Sequence, residues 1–297
     1  MAPPQGKTLS QAEIDLKKIC RDEFQYTVTT KLLDHTLWVY LPMKDRIVDT
    51  KAAEANPAQS PTAKKNSLSY VDSEFSDKTF NIEFEISPTS RQRDYGYTST
   101  YTEEYQKVQH NLFTAIARAY FDVGTVPGDV TNPDPQKQAS HQALVKAYVK
   151  TDKLPDFFVV VIADTVKGLE TQTLFYIQDL KEYMTGSLPG DEYPKRFINE
   201  LHGSQAGIGD MDGKHLDYQD YTWPEFLSRQ ITARINFKYH ASSFPPSSDA
   251  MNEMEKIVGE TLRAYQFTDF DSLQFKDLKT DSTTTIGRGQ LEELYNK

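Results

Sequence analysis

The chain has 297 residues and a formal net charge of −10, from 33 Lys and Arg against 43 Asp and Glu. That length buries a sizeable core in one large or two smaller domains. The acidic balance, with no Lys/Arg run longer than two, argues against nonspecific nucleic-acid binding and docking on anionic lipid, both of which need a basic surface.

Mean hydropathy is −0.62. The 17 Tyr and 16 Phe predict that rings, more than Leu and Val, fill the core. No stretch approaches the roughly 20 apolar residues that cross a bilayer. The single cysteine, Cys20, rules out an intrachain disulfide and a cysteine zinc site, and reads as a small buried hydrophobe. No signal-peptide pattern opens the chain. Residues 1–9 read as a flexible lead, either of a cytosolic protein or of one whose targeting segment has been removed.

From Ser10 a unit of helix, strand, tight turn and strand begins. Ser10 and Glu13 form a capping box, with Leu9 and Ile14 as its hydrophobic staple. Tyr26–Thr30 is expected to pair across Leu33, Asp34 and His35 with Thr36–Leu41, with Leu37, Val39 and Leu41 on one face and Trp38 and Tyr40 on the other. Residues 51–66, rich in Ala, Pro, Lys and Ser, read as a mobile loop. Residues 67–75 then pair as a hairpin with 79–86, where Phe80, Ile82, Phe84 and Ile86 alternate with Asn81, Glu83 and Glu85. The strand 79–86 is also a candidate sheet edge for a partner strand.

A second unit starts at a capping box of Thr100 and Glu103. Tyr101, Tyr105, Val108, Leu112, Ile116 and Ala119 make one apolar helical stripe. A Pro/Gly/Asp/Asn-rich insertion at 124–138 and a short helix at 139–149 follow. Phe157–Ile162, apolar on both faces, predicts a central strand, returning through Thr171 to Ile177. Thr222 and Glu225 cap a helix with Pro224 in its first turn, whose apolar positions are Trp223, Leu227, Ile231 and Ile235. The third unit runs from Ser248 or Asp249 as cap, through Met251, Met254, Val258, Leu262 and Tyr265, to a hairpin of 272–278 and 283–286. The helices of the second and third units both end in Arg-Ala-Tyr, at Arg118–Tyr120 and Arg263–Tyr265. The expected fold is therefore α+β: largely antiparallel sheet with packed helices, in about three helix–strand–strand units (10–50, 67–200 and 222–297) forming one or two modules.

Between the second and third units lies a glycine-rich, acidic segment, Leu201 to Trp223. His202, Asp210, Asp212 and His215 offer a divalent-metal set, although the EF-hand spacing is absent. The same residues also read as an acidic turn chosen for its geometry. The glycines Gly203, Gly207 and Gly209 lack the Gly-Lys-Ser/Thr of a phosphate loop, and Ser204 is out of register for a nucleophile elbow. Trp38, Tyr40, Tyr218, Tyr221 and Trp223 are candidates for a ligand or peptide groove, or for core packing. No organic cofactor is called for. The candidate functions are a non-enzymatic partner-binding or assembly module, a metal-dependent hydrolase using 201–223, and a small-ligand binder with an aromatic pocket.

Ile19–Phe24, Lys31–Pro42, Tyr101–Tyr105 and Gly213–Tyr218 together resemble a group of uncharacterised bacterial exported proteins of lipoprotein type. The resemblance implies a place in the cell envelope or periplasm, a protein partner, a lipid anchor ahead of this chain and, for residues 1–8, a spacer behind it. It implies no activity and no catalytic residues.

Overall fold

The structure is a computed structural model that describes residues 11–52, 66–88, 97–121, 155–184, 186–240 and 250–295. The expected Ser10 and Ser248/Asp249 caps, the 139–149 helix and the 124–138 insertion lie outside the described residues, as does nearly all of the 51–66 loop. The fold is α+β, with sheets of mixed and antiparallel pairing. The chain divides into two compact units, each assembled from two separate stretches: Met1–Lys51 with Thr98–Asp220, and Ala52–Tyr97 with Tyr221–Lys297.

The first unit holds a five-stranded sheet. Its strands are β1 (Thr29–Leu33), β2 (Thr36–Met43), β7 (Phe157–Asp164), β8 (Leu169–Tyr176) and β9 (Ile198–Gly203), in the order β1-β2-β7-β8-β9. The β2–β7 pair is parallel and the other pairs are antiparallel. Every residue of β7 is buried, as an apolar run flanked by two strands and covered on both faces must be. Thus the first two helix–strand–strand units share one sheet.

The helices α1 (Gln11–Phe24) and α2 (Glu103–Phe121) cover one sheet face. Leu16 and Cys20 of α1 and Leu112, Ile116 and Tyr120 of α2 join Leu37, Val39, Leu41, Phe158, Val160 and Phe175 in one core. Each such fully buried side chain stabilises the fold by roughly 1.5–3 kcal/mol. Burial raises the Cys20 thiol to about 12, so it stays protonated and inert. Across the helix pair, Arg118 donates to both oxygens of Glu23, at 2.5 and 2.7 Å.

Helix α2 begins two residues later than the Thr100 capping box predicts. Tyr97–Tyr101 is a strand instead, β6, paired with β3 (Val48–Ala52). The cap is Thr102, whose hydroxyl accepts from the Tyr105 amide at 3.1 Å and donates to the Arg46 carbonyl at 2.7 Å. Thr100 lies in that strand, and Tyr101, expected as the first residue of the apolar stripe, ends the strand and is exposed. Past β8 the chain forms α3 (Ile177–Met184) and the short α4 (Tyr193–Arg196) before β9.

In the second unit, β4 (Asn66–Ser76), β5 (Thr79–Pro88), β10 (Ser272–Asp277) and β11 (Ser282–Gly287) make a sheet of order β11-β10-β5-β4. β5 is the strand expected at an edge. It is interior, flanked by β4 antiparallel and β10 parallel, and so cannot accept a partner strand. Phe80, Ile82, Leu273 and Phe275 fill the core on one face. The helix α5 (Trp223–His240) packs on β4 and on α6 (Ala250–Ala264), and α7 (Arg288–Tyr295) follows β11. The reach-back half of the expected box forms at the start of α5: the Thr222 amide donates to the Glu225 carboxylate at 2.8 Å, and the Thr222 hydroxyl donates to the same carboxylate at 2.7 Å. α6 closes with Gln266 at φ +52° and the Phe267 amide donating to the Leu262 carbonyl at 2.9 Å, the bond of a Schellman turn.

Candidate functional site

The segment from Ser204 to Asp220 returns over the sheet face opposite α1 and α2. β2 supplies the contacts on which it rests. Trp38 donates through Nε1 to the Gln219 carbonyl at 2.8 Å, and the Tyr40 hydroxyl donates to the Asp210 carbonyl at 2.9 Å. At its far end the His35 amide donates to Asp220 Oδ1 at 2.9 Å, and the His35 ring meets Asp220 Oδ2 at 3.2 Å. The lone pairs of Asp220 that take these bonds hold its carboxyl below the usual range, against the opposing effect of burial.

The start of the segment lies backbone to backbone on the β7–β8 turn. The Ser204 amide donates to the Gly168 carbonyl at 2.7 Å. The Ser204 hydroxyl caps a short 3-10 turn, Gln205–Ile208, by accepting from the Ala206 amide at 3.1 Å. A Cβ on Gly207 would lie 3.1 Å from Gly168 Cα, so glycine at both positions permits the approach. Further on, Gly213 has φ +71°, and a Cβ there would meet Tyr40 Cγ at 2.8 Å and the Tyr218 hydroxyl at 3.1 Å. That hydroxyl donates to the Gly213 carbonyl at 2.8 Å.

His215 sits at the centre. Its Nδ1 is 2.5 Å from Asp210 Oδ2, and its Nε2 is 2.7 Å from Glu170 Oε2. Its side chain is 7 % exposed, that of Glu170 6 % and that of Asp210 14 %. A neutral imidazole has one N–H, and both ring nitrogens here face carboxylates, so the arrangement calls for the imidazolium. Burial alone would lower the His215 pKa, but the bonds to Asp210 and Glu170 outweigh it and the pKa is raised. Asp210 is correspondingly held well below the usual carboxylate range. Its burial is overcome by the His215 ring and by backbone amides, among them that of His215 at 2.8 Å and that of Asp212 at 3.2 Å. The edge of Tyr40 closes the site, its ring centre 6.0 Å from that of His215.

Of the four residues expected as a metal set, Asp210 and His215 are brought together. His202 lies on β9 and pairs with Glu200 at 3.1 Å, and Asp212 is exposed beside Lys214 at 3.2 Å. Among the described residues no group of three or more His, Cys, Asp or Glu side chains is disposed to hold a metal ion. Of the five aromatic candidates, Trp38, Tyr40 and Tyr221 are buried, so these three line no open groove. Trp38 and Tyr40 are the floor beneath the segment, and Tyr218 meets Trp38 edge to face with Lys31 Nζ 3.9 Å over its ring. Tyr221 and Trp223 belong to the second unit.

Glu170, 45 residues before His215, is the partner that sequence spacing does not suggest. The sequence of the strand, Leu-Glu-Thr-Gln-Thr-Leu-Phe-Tyr, does not mark it, since Glu170 is one of several polar residues there. The segment also displays what it does not bury. Ile208 is 87 % exposed, and Met211 and, on the adjoining turn, Val166 are exposed too. Comparison with protein-family models, curated proteins and solved structures returned no match for the chain.

Proposed function

We propose that this protein is a non-enzymatic partner-binding or assembly module, and that the Ser204–Asp220 segment is its recognition loop. The observation that carries the reading is Ile208: a large apolar side chain held almost wholly in solvent by a loop anchored at Ser204, Asp210, His215, Gln219 and Asp220. Withdrawing an imidazolium and two carboxylates from water costs several kcal/mol per ion. The bonds of His215 to Asp210 and Glu170 offset that cost, so the loop is held to the geometry that keeps the three groups paired. A loop already ordered loses little entropy on binding, and a rigid apolar tip has the character of an interface anchor. The geometry favours binding over acid–base chemistry at this site, because both nitrogens of His215 are committed to carboxylates. A location in the bacterial envelope follows from the sequence resemblance alone.

The test is affinity capture with the full chain from the native envelope fraction, comparing wild type with Ile208→Asp. Wild type should retain a specific protein that Ile208→Asp loses, while the variant's thermal unfolding stays unchanged because the position is exposed. Identical recovery by both, or no specific recovery by wild type, would remove the assignment of this loop as the recognition surface.

A further inference from the structure

The outer strand β11 of the second unit runs Ser282, Thr283, Thr284, Thr285, Ile286, Gly287, with no charge and no proline. The edges of the five-stranded sheet and the other edge of this one carry features that discourage edge pairing. β4 has Asp72, Glu74 and a register break between Leu68 and Tyr70, with α5 packed on it; β1 carries Lys31; and β9 carries Glu200 and His202. On β11 the side chains from Ser282 to Thr285 are exposed.

The ladder shows which backbone groups of β11 are free. The Leu278 amide donates to the Phe84 carbonyl, so the even-numbered positions of β10 face β5 and the odd ones face β11. Antiparallel pairing alternates, and the register therefore bonds Ser282, Thr284 and Ile286 to Asp277, Phe275 and Leu273. The Arg288 amide, donating to the Asp271 carbonyl at 3.0 Å, continues the same phase. Thr283, Thr285 and Gly287 must point outward. The Gly287 N–H is taken by Gln290 Oε1 at 3.0 Å, which closes that end. What remains is the N–H and C=O of Thr283 and of Thr285, and among the described residues nothing bonds them.

We propose that these four groups pair with a second copy of this chain, β11 against β11 antiparallel, about a two-fold axis through Thr284. In that register Thr283 of each copy lies opposite Thr285 of the other, and all eight free groups bond in four hydrogen bonds. Thr–Thr neighbours are favourable cross-strand pairs. The strand is uncharged, so the contact sets no like charge against like in a chain of net charge −10. The occupant is a second copy because the free groups are their own complement, and the register that uses them all is symmetric. The short ladder makes this a weak, concentration-driven dimer, with dissociation in the micromolar-to-millimolar range. It does not depend on the recognition loop, which belongs to the other unit.

The experiment is sedimentation of the full chain across that concentration range, with three sets of variants. Thr285→Pro removes an outward N–H and no bond to β10, a change an edge strand tolerates, and it should abolish the dimer. Thr283→Lys with Thr285→Lys should weaken self-association about tenfold or more, since lysines then oppose lysines; mixing that protein with Thr283→Glu/Thr285→Glu should restore a mixed dimer. Thr284→Cys should form an intermolecular disulfide under mild oxidation, because a non-hydrogen-bonded pair sets the two Cα atoms about 4.5 Å apart. A chain that stays monomeric to millimolar concentration and gives no crosslink overturns the proposal. So does a dimer that neither Thr285→Pro nor the lysine pair disturbs. Should Thr285→Pro fail to fold, the crosslink and the charge-swapped mixture decide.

Discussion

Replacing His215 with Ala leaves Glu170 and Asp210 facing an emptied site without their common cation. Both carboxylates are mostly buried, at 6 % and 14 % side-chain exposure. Breaking a buried pair by removing one partner costs about 3–5 kcal/mol, most of it the penalty of the charge left behind. For a unit of this size each kcal/mol moves Tm by about 2–4 °C, so a fall of roughly 6–20 °C is expected by calorimetry or circular dichroism. Part of the loss is recoverable: Glu170→Gln on the His215→Ala background removes one stranded charge, so the double variant should be more stable than the sum of the two single losses. Hydrogen exchange locates the effect, with Ser204–Asp220 amides losing protection before those of β7. A His215→Ala loss under about 1 kcal/mol, or singles that add with no coupling, would refute the claim that this trio pins the loop. The pH dependence has a definite sign. The His215 pKa is raised above its ordinary 6.5, so its contribution is complete below 6.5 and is lost as pH rises through the folded value. The Asp210 pKa is lowered from 3.8, so its contribution is complete above 3.8 and is lost only in stronger acid. Wild type should therefore lose stability relative to His215→Ala on the alkaline side of 6.5, by at most about 1.4 kcal/mol per pH unit.

Gly213→Ala combines a left-handed backbone (φ +71°) with a Cβ 2.8 Å from the Tyr40 ring; a loss of about 1–2 kcal/mol from the backbone alone is expected in urea melts, and more from the ring contact. Gly207→Ala, with ordinary φ but a Cβ 3.1 Å from Gly168 Cα, should lift the loop start off the β7–β8 turn, visible as faster exchange of the Ser204 amide. Arg118→Ala breaks the bidentate bond to Glu23 in a setting 29 % and 45 % exposed, and should cost no more than about 1 kcal/mol despite its good geometry. Thr102→Ala removes the cap of α2 and should cost about 1 kcal/mol in the same assay.

Local signals in the sequence are legible wherever one short stretch decides the outcome. The doubly apolar run of β7 needs no partner to be read as central, and the Thr222–Glu225 pair lies within four residues. The phase of β5 is equally plain from its alternation. Its place in the sheet is not, because β10, the neighbour that makes it interior, lies about 190 residues away and pairs in parallel. The same reason hides the cap of α2: Thr100 has the right chemistry, but it lies in β6, and the strand that pairs with β6 is Val48–Ala52. The site fails in the same way. His215 and Asp210 stand five residues apart and invite a metal reading, whereas Glu170 enters only when β8 is laid beneath the loop. Without Glu170 the pair reads as a ligand set with an open position; with it, both imidazole nitrogens are occupied. Asp210 and His215 are thus turned inward to secure the loop, while Asp212 and Lys214 stay in solvent. The apolar chemistry left outside is that of Ile208 and Met211, two residues that an acidic, glycine-rich segment gives no reason to single out.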